Sequence, residues 1–191
     1  MKLLIDILQG IGLAAAAGVR PFLPTLVAGG LGIANVGVDY DRTEFSFLES
    51  PIFLLAVAIG MVVTLIMRGR LETQAGQAAL SGVGIGLGAI LFAATLDDRH
   101  ALWWPGLIGG VLVAGLASAA VRDLFNRTRA RLDAEAASAL PIYAEGVAMV
   151  IAALSILLAP VALLAVGLFV WLLAGGRRRE GEKYAGLRIL R

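Results

Sequence analysis

Seven long apolar runs follow one another along this chain with little polar sequence between them, and that pattern limits the fold more than any other feature: Leu3 to Val19, Phe22 to Val38, Pro51 to Met67, Ala78 to Leu96, Pro105 to Phe125, Pro141 to Ala159 and Val161 to Ala174. A helix rises about 1.5 Å per residue and the hydrocarbon core of a bilayer is about 30 Å thick, so runs of this size match transmembrane helices, several of them on the short side. Hydrophobic residues make up 59% of the chain and charged ones only 16%, against roughly a quarter in soluble domains, so one small water-soluble core could not hide the apolar excess. The expectation is an all-α, polytopic transmembrane helical bundle of about seven segments, occupying 1–176 and followed by a basic tail, 177–191.

Proline punctuates the runs. Ser50-Pro51, Trp104-Pro105 and Leu140-Pro141 place proline in a first helical turn, where its missing N–H costs nothing. The first pair of runs is broken only at Arg20-Pro21-Phe22-Leu23-Pro24 and the last pair only at Pro160, so each pair is a tight hairpin or a discontinuous helix. Lys2, the first run and Ala14 to Gly18 imitate a cleavable secretory signal, but Asp6 and Gln9 interrupt the apolar stretch and favour a retained first helix.

Basic residues in short loops are held on the cytoplasmic side. Arg68 and Arg70, the group Arg122, Arg127, Arg129 and Arg131, and the tail residues Arg177, Arg178, Arg179, Lys183, Arg188 and Arg191 therefore read as cytoplasmic. The acidic loops Asp39 to Ser50 and Asp97 to His100 read as external, giving seven crossings with an external N-terminus, or six with one early segment re-entrant. The 126–140 connection, with Leu132, Ala136 and Leu140 at helical spacing, reads as lying along the cytoplasmic interface. Trp103, Trp104, Tyr40, Phe45 and Phe47 read as headgroup-level anchors. The expected setting is a plasma membrane, with anionic lipid headgroups as partners of the tail.

Gly106, Gly110, Ala114 and Ser118 form a small-residue stripe that lets helices approach closely; Gly10, Ala14 and Gly18 form another, and the glycines of Ser81 to Gly88 two more. Packing within the chain is the expected use, homodimer contact the other. The glycine run lacks the spacing, strand and lysine of a phosphate loop.

Charges at membrane depth carry the functional expectation, because each is costly unless it meets a partner or a wet cavity. Arg122 extends the small-residue stripe by one turn, Glu145 lies one turn inside the sixth run, and Arg20 precedes a Pro-x-x-Pro break whose unpaired backbone groups suit a cavity wall. Arg20, Arg122 and Glu145 thus share one expected depth, as an ion pair with a spare arginine, as arginines snorkelling to lipid phosphates, or as a solute or proton site. No nucleophile-base pair or phosphate motif marks an enzyme; with no cysteine and one histidine, no catalytic, cofactor or metal site is expected, and the +2 charge, spent beside apolar runs, does not indicate nucleic acid. Asp97-Asp98-Arg99-His100 reads as a solvated loop.

The stretch Gly12 to Pro24, with Gly18-Val19-Arg20-Pro21-Phe22-Leu23-Pro24 at its end, resembles a bacterial membrane-protein family catalogued as domain of unknown function 4126, as do Phe47 to Pro51, Tyr143 to Gly146 and Leu158-Ala159-Pro160. Thr64 to Arg70 departs from the acidic, lysine-bearing motif that family often carries there. The resemblance implies a membrane protein and no activity. Two functions follow from the residues: a small transporter or channel for a small anionic or proton-coupled solute, or a structural protein that organises lipid or partners without transport.

Overall fold

The computed structural model describes residues 2–41, 43–67, 73–97, 102–129, 131–132 and 134–185, without the side chains of 134, 135, 137, 138 and 176–185. Among these residues the chain forms seven α-helices: α1 (Lys2–Val19), α2 (Phe22–Ile33), α3 (Pro51–Ile66), α4 (Gln74–Asp97), α5 (Trp104–Arg129), α6 (Ala134–Leu157) and α7 (Val161–Ala185). A 3-10 turn, Ser46–Glu49, leads into α3. The protein is a membrane protein: α1, α4, α5 and the Ala139–Leu157 part of α6 are long and apolar enough to cross a bilayer, while α2, α3 and the Val161–Gly175 part of α7 are shorter apolar helices. Arg42, Arg68, Arg70, Asp98, Arg99, His100, Arg188 and Arg191 lie outside the described residues, as do the side chains of Arg177, Arg178, Arg179 and Lys183.

Small residues explain the central position of α1. Every residue from Gly12 to Val19 is buried, and the helix packs on α2, α4, α5, α6 and α7. Alanines and glycines leave almost no side chain between neighbouring axes, so dispersion contacts run backbone to backbone, which is how helices associate in a solvent as apolar as themselves. The stripe of α5 lies along this seam. A Cβ added at Gly106 would meet Ala93 Cα of α4 at 2.7 Å, and one at Gly110 would meet Ala89 Cα at 2.5 Å. Ala114 and Ser118 are buried further along, where a Cβ at Gly18 of α1 would collide with the Ala114 backbone.

Both proline-broken pairs fold back as hairpins. Gly12 of α1 has Ser155 of α6 and Ala162 of α7 beside it, while Ala144 and Ala148 of α6 share a cluster with Ala165 and Phe169 of α7. In the first pair, α2 runs back along α6 and ends at Ile33, earlier than the apolar run suggests. Asn35 at φ 52° and Gly37 at φ 78° turn the chain there; Gly37 sits so close to Ile156 that a Cβ would approach its Cγ2 to 2.7 Å. At about 18 Å, α2 does not reach across a bilayer. The loop beyond it is held down by Gln9, whose Nε2 donates to Ile156 O at 2.7 Å and to Gly37 O at 3.2 Å.

Three local expectations need correction. Helix α6 begins at Ala134, not at Pro141, which lies inside the helix. The Ala134-Glu135-Ala136-Ala137-Ser138-Ala139-Leu140 stretch is rich in strong helix formers, so the helix starts upstream and tolerates one missing bond. The 126–140 connection is not a separate interfacial segment, since α5 continues to Arg129, stabilised by an Asp123–Arg127 ion pair and a Thr128 hydroxyl donating to Leu124 O at 2.8 Å. Tyr40 is not a headgroup anchor: it is 1% exposed. Trp103 instead meets Phe45 edge-on at 6.0 Å, Phe47 meets Phe53 at 5.2 Å, and Trp104 is exposed.

Candidate functional site: an arginine-lined pocket at one end of the bundle

The turn after α1 fixes the first site residue. Arg20 N–H donates to Ala16 O at 3.0 Å, closing the last turn of α1, and Pro21 starts α2 at once, its carbonyl accepting from Thr25 Oγ1 at 2.7 Å. The short reversal leaves the Arg20 side chain inside the bundle rather than beyond it. Glu145, on α6, lies opposite, with Arg20 Nε 3.8 Å from Glu145 Oε1 and the two side chains 14% and 19% exposed. The Arg20 guanidinium also lies over the ring of Phe125 on α5, at 5.8 Å, and the Arg129 guanidinium lies over the same ring at 6.0 Å. Desolvated cations on an aromatic face gain about 1–2 kcal/mol, so Phe125 holds both arginines in place.

These groups line a cavity of about 520 Å³. Its floor is the Gly18-to-Pro21 turn; its walls are Met61, Thr64 and Leu65 of α3, Gln77, Leu80 and Ser81 of α4, the 118–129 face of α5, and Pro141 to Gly146 of α6. Six helices contribute the same end, because the chain alternates direction at every turn. Arg20, Arg122 and Glu145 all line this cavity. Arg20 and Glu145 form the ion pair, whereas Arg122 is exposed and has no ion-pair partner among the described residues. Asp123, its neighbour, is taken by Arg127, which also donates to Leu172 O at 3.2 Å and ties α5 to α7.

Sequence reasoning missed Phe125 and Arg129, although their spacing contained a signal: Ser118, Arg122, Phe125 and Arg129 fall at i, i+4, i+7 and i+11, one face of α5. The α4 pair Gln77 and Ser81, one turn apart, and Thr64 on α3 were also missed, since nothing in the sequence shows which helix ends meet.

The opposite end has different chemistry. Asp6, Gln9, Tyr40 and Thr95 are buried around a cavity of about 10 Å³, room for roughly one water. Beside it, Tyr40 N–H donates to Glu49 Oε1 at 2.6 Å, and carboxylate oxygens of Asp39, Asp41 and Glu49 lie within 4.8 Å of one another. Burial pushes the Glu49 carboxyl above its ordinary range; the Tyr40 N–H lowers it, and the hydrogen bond and charge of Asp41 with the charge of Asp39 raise it further. Asp97 accepts from Glu44 N–H at 2.7 Å and so fastens the loop to the end of α4.

A family model described as "Domain of unknown function (DUF4126)" matches residues 7–179. No curated protein and no solved structure matches the chain.

Proposed function

The chain belongs to the DUF4126 family, a domain of unknown function, and we propose from its own pocket that it is a carrier of a small anionic solute in a bacterial plasma membrane, with the pocket and the C-terminal tail facing the cytoplasm. The observation that carries this reading is the Arg20–Glu145 pair inside a cavity of about 520 Å³, a size suited to a small ligand, since such sites span about 300–1,000 Å³. Among the described residues, three arginines and one glutamate line the cavity. Glu145 is the group able to exchange a proton for the anion, because an incoming acid competes with it for Arg20. A carrier fits better than a channel: between this pocket and the opposite loop the bundle is filled by Leu13, Ala14, Ala16 and Ala17, each fully buried. Arg122, Arg127 and Arg129 at the pocket end and Asp39, Asp41 and Glu49 at the other support the orientation.

The alternative is a non-transporting organiser of lipid, favoured by the apolar walls of the same pocket. Flux separates them. Proteoliposomes are assayed with labelled inorganic phosphate, a dicarboxylate and short- and long-chain carboxylates, using the wild type and the doubly neutral Arg20→Gln/Glu145→Gln variant, which leaves no orphaned charge. The carrier reading expects uptake of one anion class above protein-free vesicles and its loss by about 10-fold or more in the double variant, the equivalent of one good charged contact. Uptake at background for every anion, or unchanged in the double variant, contradicts it and leaves the organiser.

A further inference from the structure

The small-residue stripe of α5 begins in a helix seam and ends in the cavity. Gly106 lies against Ala93 of α4 and Gly110 against Ala89, so four residues forward on α5 answer four residues back on α4. Two further turns in that register set Ser118 level with Ser81. Both serines line the cavity, each from its own helix. Neither hydroxyl has a hydrogen-bond partner among the described residues, although Ser118 is only 3% exposed. A buried hydroxyl left unpaired costs free energy, and a helical side chain can recover it on the carbonyl four residues earlier, as Thr128 does on Leu124. Ser118 does not. Its face of α5 carries Arg122 one turn on, also in the lining and without an ion-pair partner among the described residues. The other charged lining residues are engaged, Arg20 with Glu145 and Arg129 likewise within the protein.

We infer that Ser81, Ser118 and Arg122 form a subsite for a phosphate group, held between α4 and α5. The inference rests on the reading of this cavity as an anion site and names the anion. Each hydroxyl supplies one donor, and the guanidinium supplies several in a planar fork. A carboxylate is planar and presents its two oxygens along one edge, which a single arginine fork already satisfies, so two hydroxyls on two helices would have nothing to hold. A phosphate is tetrahedral. It takes the fork on one side and a hydroxyl from each helix on the others. Thr64 adds no donor to this set, since its hydroxyl donates to Met61 O at 2.7 Å. The apolar Leu80 and Val121 share the wall, and a low local dielectric strengthens the bonds the donors make. A free phosphate ion and a phosphate-ended lipid headgroup offer the same chemistry here.

Equilibrium binding tests this without a gradient or flux. The full chain, purified in maltoside detergent without added phospholipid, is titrated with radiolabelled inorganic phosphate. Saturable binding is expected, displaced by sulfate and at least about 10-fold less readily by acetate or succinate. Ser118→Ala and Ser81→Ala should each weaken it about 10-fold, the worth of one hydrogen bond to a charged group, and Arg122→Gln by as much. Since neither hydroxyl bonds another described residue, both alanine variants should keep the wild-type unfolding midpoint in the absence of phosphate, which separates lost binding from lost folding. Short-chain phosphatidic acid as competitor identifies the source: displacement at concentrations well below those of unlabelled phosphate assigns the subsite to a lipid headgroup, and weaker displacement assigns it to the free ion. Absence of saturable binding, binding that neither alanine variant alters, or competition by acetate or succinate equal to that by sulfate overturns the inference. Binding of the expected pattern in a protein without flux leaves the subsite standing and removes the carrier; uptake of a carboxylate, lost in Arg20→Gln/Glu145→Gln, with no phosphate binding does the reverse.

Discussion

Arg20 and Glu145 set the chemistry of the pocket because each makes the other tolerable at that depth. Breaking a largely buried ion pair costs about 3–5 kcal/mol, so Arg20→Gln alone should lower the thermal unfolding midpoint markedly. Adding Glu145→Gln should recover most of the loss, since the site is then neutral and still polar. Equal midpoints for wild type and Arg20→Gln in the same lipid would show that the pair contributes nothing. Glu49 behaves oppositely, since burial and the nearby Asp41 and Asp39 raise its carboxyl above 4.5 in the folded protein. The folded state then holds the proton more tightly than the unfolded chain, so this group favours folding at low pH, and that contribution is lost as pH rises through the raised value. Glu49→Gln, which keeps an acceptor for Tyr40 N–H, should raise the unfolding midpoint at pH 8 and leave it unchanged near pH 4. A gain of the same size at both values would mean that ionisation is not the cause.

Among the elements, glycines divide by what faces them. A side chain at Gly110 would meet the α4 backbone at Ala89, which cannot swing aside, whereas Gly86 on α4 has nothing within 4 Å. Gly110→Leu should destabilise the bundle by about 1–3 kcal/mol, the overpacking range, while Gly86→Ala should leave it unchanged or slightly more stable through helix propensity. Thermal unfolding of the two variants in one detergent checks the contrast; equal effects would refute the close α4–α5 seam. The apolar runs made the helices legible from sequence, since their ends agree within a few residues for α1, α3 and α5. Pro141 misled because a residue fit for a first turn is also tolerated inside a helix whose upstream alanines nucleate it. Tyr40 misled because its neighbours in space, Glu49 and Asp6, are far from it in sequence. Arg20, Arg122 and Glu145 could be placed at one depth by counting turns, but Phe125, Arg129 and the α3 and α4 walls required knowing which helix ends meet.

At the scale of the molecule, and among the described residues, alternating helices gather Arg20, Arg122, Arg127 and Arg129 with Asp123 and Glu145 at one end and Asp6, Asp39, Asp41, Glu49 and Asp97 at the other, with a packed alanine core between. The proposed carrier requires a pocket that water reaches from the basic end alone. The chain has no cysteine, so Ser81→Cys, on the pocket wall, provides a unique thiol. A membrane-impermeant maleimide should label it in inside-out vesicles and not in intact cells, and Arg20→Gln/Glu145→Gln should leave that pattern unchanged. Labelling from the outer face, or from neither, would contradict a cytoplasm-facing pocket and with it the proposed route of the ligand.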